Sequence, residues 1–343
     1  MCSEGSILCL GNPLLDVSAN VDAAFLKKYD LQAANQILAE DKHLPMYQEL
    51  AARPDVEYIA GGAGQNSVRV AQWMLQVPNA TAYMGCVGAD DFANRMTEQA
   101  KKDGVQVRYQ VDPNTPTGKC AVCVTGIERS LVAHLAAANN FKADFAMKNW
   151  DLVEKARVVY MSGFFITVSP EAIMNVARHV AENDKILCMN LSAPFIMQVP
   201  PFKKTLMDAI PYMDFLFGNE AEAEEFAKSE GWPSNDLEQV ALKISRMPKA
   251  NGSRPRMVVF THGAQPTIIA CEGKVQLYPV NRIDPKAIVD TNGAGDAFVG
   301  GFLSQLVCGK PVSECVRAGN YAASVIIQRA GCTFPAKPSF VWN

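Results

Sequence analysis

The segment DTNGAGDAF at residues 290–298 places a carboxylate, Asp296, directly after Gly293, Ala294 and Gly295. Glycines open backbone conformations that other residues avoid. The run that follows, AFVGGFLSQLV, is apolar enough for a buried helix. A glycine turn opening a helix directs free N–H groups outward at the positive end of the helix dipole, a seat for an anion and most often for phosphate. Asp296 is itself an anion, so a second negative charge at this place needs a reason. Transfer of a phosphoryl group supplies one. The backbone of residues 293–295 would steady the moving charge while Asp296 takes the proton of the attacking hydroxyl. A helix cap is the plainer use of an aspartate at such a turn.

Two other segments offer polar groups beside turns. GGAGQN (61–66) precedes a helical pattern and gives a ligand close backbone approach, with Asn66 one turn further on. GNPLLD (11–16) follows the first apolar run, and its Asn12 and Asp16 could bind a vicinal diol, since a carboxylate accepts from two hydroxyls at once. Both also read as ordinary tight turns.

These residues need a frame, and the chain supplies alternating apolar and helical stretches. Candidate strands are ILCLG (7–11), TAYMGCV (81–87), RVVYMSG (157–163), KILCMNLS (185–192), MDFLFGN (213–219) and RMVVFTHG (256–263). Helical patterns cover 65–75, 91–103, 170–183 and 220–231, and two long apolar helices are expected near 295–308 and 311–330. Strand–helix–strand alternation at this spacing implies an α/β fold with a mostly parallel sheet covered on both faces. Polar residues end four of the strands, at Ser162, Asn190 to Ser192, Asn219-Glu220 and Thr261 to Gly263. Ligands of open α/β sheets bind beyond that edge. Residues 16–45 and 105–140 break the alternation and read as antiparallel strands forming a smaller lid. The large domain then takes 1–15, 46–104 and 141–343, in one unit spanning 1–343.

Bulk properties exclude several classes. The 343 residues are 49% hydrophobic and 20% charged, with net charge −3, which gives no reason to expect a nucleic-acid partner. No apolar run approaches the length of a membrane span, and the N-terminus lacks the basic start and apolar stretch of a signal peptide. The ten cysteines are scattered, several inside apolar runs, as expected of reduced core thiols in a cytoplasmic protein. Cys120 and Cys123 form a lone CxxC without a second pair or nearby histidines, so core packing is expected of them too. The sequons at Asn79, Asn190 and Asn251 are then chance matches. The P-loop, the dinucleotide G-x-G-x-x-G after the first strand, H-E-x-x-H and G-x-S-x-G are all absent. The four histidines, His43, His134, His179 and His262, are scattered and expected to be structural.

DTNGAGDAF, GGAGQN and FGNEAE together resemble the ribokinase-like family of carbohydrate and nucleoside kinases. GNPLLDVSA, QILAEDKH, RSLVAHLAAAN, GFFITVSPE, MNLSAPF and AGCTFPAKP extend the resemblance over residues 11–338 and point to its nucleoside branch. The resemblance implies a three-layer α/β domain with a β-rich lid, and a monomer without nucleic-acid or membrane partners. It also implies a purine-salvage reaction, transfer of phosphate from MgATP to the 5′-hydroxyl of adenosine. By this analogy Asp296 is the general base, and Gly293, Ala294 and Gly295 form the anion hole. Asp16, Asn66 and Gly62, with Asn12 near them, hold the ribose. Leu38, Leu131 and Ala133 from the lid, with Phe164 from the large domain, enclose the purine. Arg129 is similar to a lid arginine that swings toward the phosphates. Asn219 and Glu222 match a motif that organises Mg²⁺ through water, and Thr261 and Gly263 line the ATP side. Some relatives carry hydroxyl residues where Ala63 and Gly64 stand, so the hydrogen-bond donor to the purine is left open. A kinase of a simple sugar and a nucleoside-binding module without turnover are the alternatives.

Overall fold

The computed structural model describes residues 2–33, 35–126, 128–250 and 254–341, so the Asn251 sequon lies outside the described residues. Nine strands form the main sheet. Their spatial order is Lys274–Tyr278, Gln265–Cys271, Met257–His262, Phe215–Asn219, Ile186–Asn190, Val158–Ser162, Ile7–Leu10, Thr81–Gly88 and Gln106–Asp112. From Met257–His262 to Gln106–Asp112 every pairing is parallel, and the first two strands add an antiparallel edge. Ile7–Leu10 is wholly buried because its alternate residues enter different cores: Leu8 and Leu10 on one face, Ile7 and Cys9 on the other. Helices Pro170–Glu182, Pro200–Ala209 and Leu237–Ser245 cover the first face, and Ala63–Leu75, Ala294–Leu306 and Val312–Ile326 the second. This is the burial that near-continuous apolar strands require.

The parallel registers bring the polar strand ends together. Asn190 lies opposite Ser162, and Asn219 opposite Thr261. They form one polar edge, as the sequence suggested.

A second sheet of five strands stands over this edge, in the order Gln36–Leu38, Glu128–His134, Lys119–Thr125, Leu14–Asn20 and Glu57–Gly61. One face is packed by Phe25, Leu26, Met46, Tyr47 and Leu50 from helices Ala23–Lys28 and Leu44–Ala51. Its other face carries Leu14, Cys120 and Val122, with half-buried Leu38, Leu131 and Ala133 beside them. Cys120 and Cys123 therefore point to opposite faces of one strand and cannot act as a pair.

The lid differs from the expected 16–45 and 105–140. Residues 57–61 belong to the small sheet, paired through Leu14 with Gly61, and helix Leu44–Ala51 packs on it. Gln106–Asp112 instead extends the large sheet beside Thr81–Gly88. The pairing is also mixed rather than antiparallel: Leu14–Asn20 runs parallel to Lys119–Thr125, and Gln36–Leu38 parallel to Glu128–His134. Alternation marks a strand but not the sheet it joins, since pairing partners are set by contacts distant in sequence.

Candidate active site

Helix Ala294–Leu306 begins from Gly293, whose left-handed backbone (φ 76°) turns the chain into the first helical turn. That conformation strains any residue with a Cβ. The N–H groups of Gly295 and Asp296 find no backbone acceptor among the described residues, so both are free to bind an anion. Gly295 adds no bulk there: a Cβ on it would meet nothing within 4 Å.

Helix Ala63–Leu75 brings Asn66 to this point. Asn66 Nδ2 donates to Asp296 Oδ2 at 3.0 Å, across 230 residues of sequence. Two close approaches hold the helices in this relation. At Gly300 a Cβ would lie 2.4 Å from the Ser67 carbonyl oxygen, so the helices touch backbone to backbone. At Gly62 (φ 93°) the chain turns into the Asn66 helix, with room for no side chain against the Asn12 carbonyl. Asn12 in turn donates to the Phe164 carbonyl at 3.2 Å. The Oδ1 atoms of Asn12 and Asn66 are both buried without a partner, two acceptors awaiting donors such as hydroxyls.

Carboxylates crowd the same edge. Burial pushes Asp296 up to about 7, with the Asn66 amide working against it. Asp16 also rises to about 7, first through burial, then through the negative charge of Asp296, while Arg69 pulls it down. Glu222 reaches about 7 through burial, opposed by the Asn219 N–H, with Glu220 and Asp296 adding repulsion. Asn219 and Glu222 form a reciprocal cap on helix Glu220–Ser229, with bonds of 3.0 and 2.9 Å. A hydrated Mg²⁺ arriving with phosphates suits such a place. That ion keeps several waters and takes one or two carboxylates, and Glu222 forms no ion pair among the described residues. No group of three or more ligating side chains is present among the described residues, so a dedicated protein cage for a metal is not.

Arg129 sits away from the anion seat. Its Nε lies 3.2 Å from Asp290 Oδ1, with both side chains buried, and an Nη donates to the Val289 carbonyl at 3.3 Å. Asp290 received no role from the sequence, yet it joins three segments. It accepts from the N–H of Asn292 at 2.8 Å and of Gly331 at 2.9 Å, besides pairing with Arg129 of the lid. Its place at the head of DTNGAGD was the one available signal. A cavity of about 240 Å³ lies here, lined by Asp16, Val122, Val124, Arg129, Asp290 and Asn292, and its lining stops short of Asp296.

The remaining residues fall into two groups. Leu38, Leu131 and Ala133 share the open lid face, with Leu38 opposite Ala133. Phe164 lies on the large domain after strand Val158–Ser162 and packs against Phe195 at 6.1 Å, an aromatic neighbour the sequence reading left unassigned. Thr261 and Gly263 stand at the strand end beside Asn219, with Thr261 Oγ donating weakly to the Gly218 carbonyl at 3.4 Å. No bond joins either of them to the Asp16, Asn66 and Asp296 group among the described residues.

Comparison with known proteins places the chain in a family. Residues 24–339 match the pfkB family carbohydrate kinases. The chain is 57% identical to Adenosine kinase 1 of Arabidopsis thaliana, over 98% of each chain. It superposes with a TM-score of 0.95 on Anopheles gambiae adenosine kinase in complex with P1,P4-di(adenosine-5) tetraphosphate, at 48% identity, covering 98% of this chain and 99% of that one. Schistosoma mansoni adenosine kinase in complex with 2-fluoroadenosine matches with the same score at 35% identity, over 99% and 100%. The chain belongs to the pfkB carbohydrate kinase family and groups within it with the adenosine kinases.

Proposed function

We propose that this chain transfers the γ-phosphoryl group of ATP to the 5′-hydroxyl of adenosine, giving AMP and ADP. One observation carries the reading: a carboxylate, held by Asn66, beside two unpartnered N–H groups at a helix start. Adenosine as acceptor is supported by the adenosine kinases among the relatives and by the apolar lid face of Leu38, Leu131 and Ala133, which a free sugar has no use for. Seven buried thiols support a reducing, cytoplasmic setting.

In this mechanism Asp16 accepts from the ribose hydroxyls, joined by the free Oδ1 atoms of Asn12 and Asn66 and by the backbone at Gly62. The purine lies between the lid face and Phe164. Asp296 takes the 5′-hydroxyl proton as the oxygen attacks, and the Asn66 amide fixes the carboxylate that receives it. The N–H groups of Gly295 and Asp296 at the helix start steady the charge on the transferred group, whereas the Ala294 N–H of the expected anion hole is already bonded to the Thr291 carbonyl at 3.3 Å. Glu222 and Asn219 would hold hydrated Mg²⁺, which when bound screens the phosphate charge. Thr261 and Gly263 border the nucleotide. Arg129 leaves Asp290 for the phosphates as the lid closes and water is excluded.

The test is ATP consumption across a panel of nucleosides and free sugars. Adenosine should be turned over with a far higher kcat/KM than ribose or fructose. Preference for a free sugar would refute the acceptor. Tight adenosine binding without ADP release would refute catalysis.

A further inference from the structure

Helix Ala63–Leu75 carries a buried charge that the phosphoryl chemistry leaves unused. Arg69 stands three residues after Asn66, so both side chains leave the same side of the helix. The Arg69 side chain is 4% exposed, and its Nε pairs at 2.6 Å with Asp103, which ends helix Asp91–Lys102. Asp103 is held in turn by the Gln99 amide, which donates to it at 3.0 Å. The guanidinium carbon lies 5.5 Å from the centre of the Phe334 ring. A buried ion pair contributes little stability beyond apolar groups of like volume, so what Arg69 supplies is its second donor. Nη1 donates to the Ala60 carbonyl at 3.0 Å, on the lid strand Glu57–Gly61.

That bond reaches the ribose side of the site. Strand Glu57–Gly61 pairs with Leu14–Asn20, with Ala60 opposite Leu15 and Gly61 opposite Leu14. The Asp16 carboxylate rests directly on Gly61, where a Cβ would collide with both of its oxygens. Asp16 forms no ion pair among the described residues, so the backbone of Ala60 and Gly61 sets its place. The next residue, Gly62, turns the chain into the helix that carries Asn66. Asn66 fixes Asp296 from one turn of this helix, and Arg69 fixes the floor under Asp16 from the next. The Arg69 charge also opposes burial and the Asp296 charge, which both raise Asp16.

We propose that Arg69 is a positioning residue for the reaction: by tying lid strand Glu57–Gly61 to the Asn66 helix, it holds the ribose-binding Asp16 in register with the base Asp296. This rests on the roles given to Asp16 and Asp296 above. Arg69 is buried and acts through the two backbone residues under Asp16 rather than on the substrate. When the tie is cut, the acceptor for the ribose hydroxyls is no longer fixed relative to the base. A misplacement of about 1 Å can cost on the order of 10²-fold in rate. The loss falls on nucleosides that carry the 2′- and 3′-hydroxyls and spares those that lack them.

The test measures kcat and KM for adenosine and for 2′,3′-dideoxyadenosine, which keeps the 5′-hydroxyl and lacks the two that Asp16 accepts. Arg69→Met combined with Asp103→Leu removes the tie without leaving a buried charge unpaired, an exchange that buried pairs often tolerate. In this variant the kcat/KM preference for adenosine over the dideoxy compound should fall at least about tenfold. Activity on the dideoxy compound and the KM for ATP should stay within about threefold of wild type. Arg69→Lys, which keeps the charge and a donor, should retain the preference within about threefold. An unchanged preference in the double variant, or equal losses on both nucleosides, would overturn the proposal and leave the pair a purely structural role. Asp16→Ala, run alongside, should abolish the same preference. If it does not, the ribose assignment itself fails, and the proposal with it.

Discussion

Asp296→Asn should make the protein more stable and nearly inactive at once. A carboxyl with a folded-state pKa above its unfolded value favours folding while it is protonated. For Asp296 that contribution is complete below 3.8 and is lost as the pH rises through about 7. Each tenfold step in an acid constant corresponds to about 1.4 kcal/mol, so at pH 8 full burial would cost on the order of 4 kcal/mol. Asp296 keeps part of its surface open to the cleft, and water there reduces the cost to about 1–3 kcal/mol. Asparagine has the same shape, still accepts from Asn66, and carries no charge to desolvate. The variant should therefore melt a few degrees higher at pH 8, with the gap constant above about pH 7 and narrowing between pH 7 and pH 4. Its turnover should fall at least ~10²-fold, the scale of a lost general base, while adenosine affinity stays within several-fold. Differential scanning calorimetry across pH, with ADP release on the same samples, measures both. Near-normal turnover would remove Asp296 from the chemistry. A lower melting temperature at pH 8 would refute the burial cost.

Other perturbations test other parts of the frame. Asp16→Ala should raise the KM for adenosine at least about tenfold, since a hydrogen bond to a charged group is worth about 1.5–3 kcal/mol; an unchanged KM would move the ribose elsewhere. Gly300→Ala forces a Cβ against the Ser67 carbonyl and should destabilise by about 1–3 kcal/mol in denaturant titration. It should also lower kcat more than it raises KM, because Asn66 and Asp296 ride on the two helices it separates. Asp290→Ala leaves Arg129 and the Asn292 and Gly331 N–H groups without their acceptor; a loss of about 3–5 kcal/mol is expected, and a thermal melt unchanged from wild type would show the ion pair to be idle.

The legibility of the molecule in its sequence varied with the range of the interactions involved. Strands such as 81–87 and helices such as 170–183 were readable because apolar period and glycine punctuation are local. The polar strand ends at Ser162, Asn190, Asn219 and Thr261 were readable as one edge because parallel alternation fixes which end of each strand faces the same way. The edge strand Gln106–Asp112 was assigned to the lid, and Glu57–Gly61 was kept out of it, because neither contains anything that names its partner. Asp290 went unassigned because a lone aspartate shows no charge pair until the lid is placed above it. Phe195 is an isolated aromatic residue in its own segment of the sequence, and only the fold sets Phe164 beside it.

By itself the sequence determined the chemistry on offer: a glycine turn that must open a helix, a carboxylate at its start, and strand-helix alternation that puts polar ends on one side. Those are properties of single segments, governed by backbone sterics and periodicity. The tertiary structure decided what the carboxylate faces. Asn66 reaches Asp296 because two helices meet at Gly300 without side chains between them. Three carboxylates are pushed up together because distant segments remove water from one edge. The lid presents an apolar face because its other face is covered by two helices. Each depends on which surfaces the folded core brings into contact, and no local pattern encodes that.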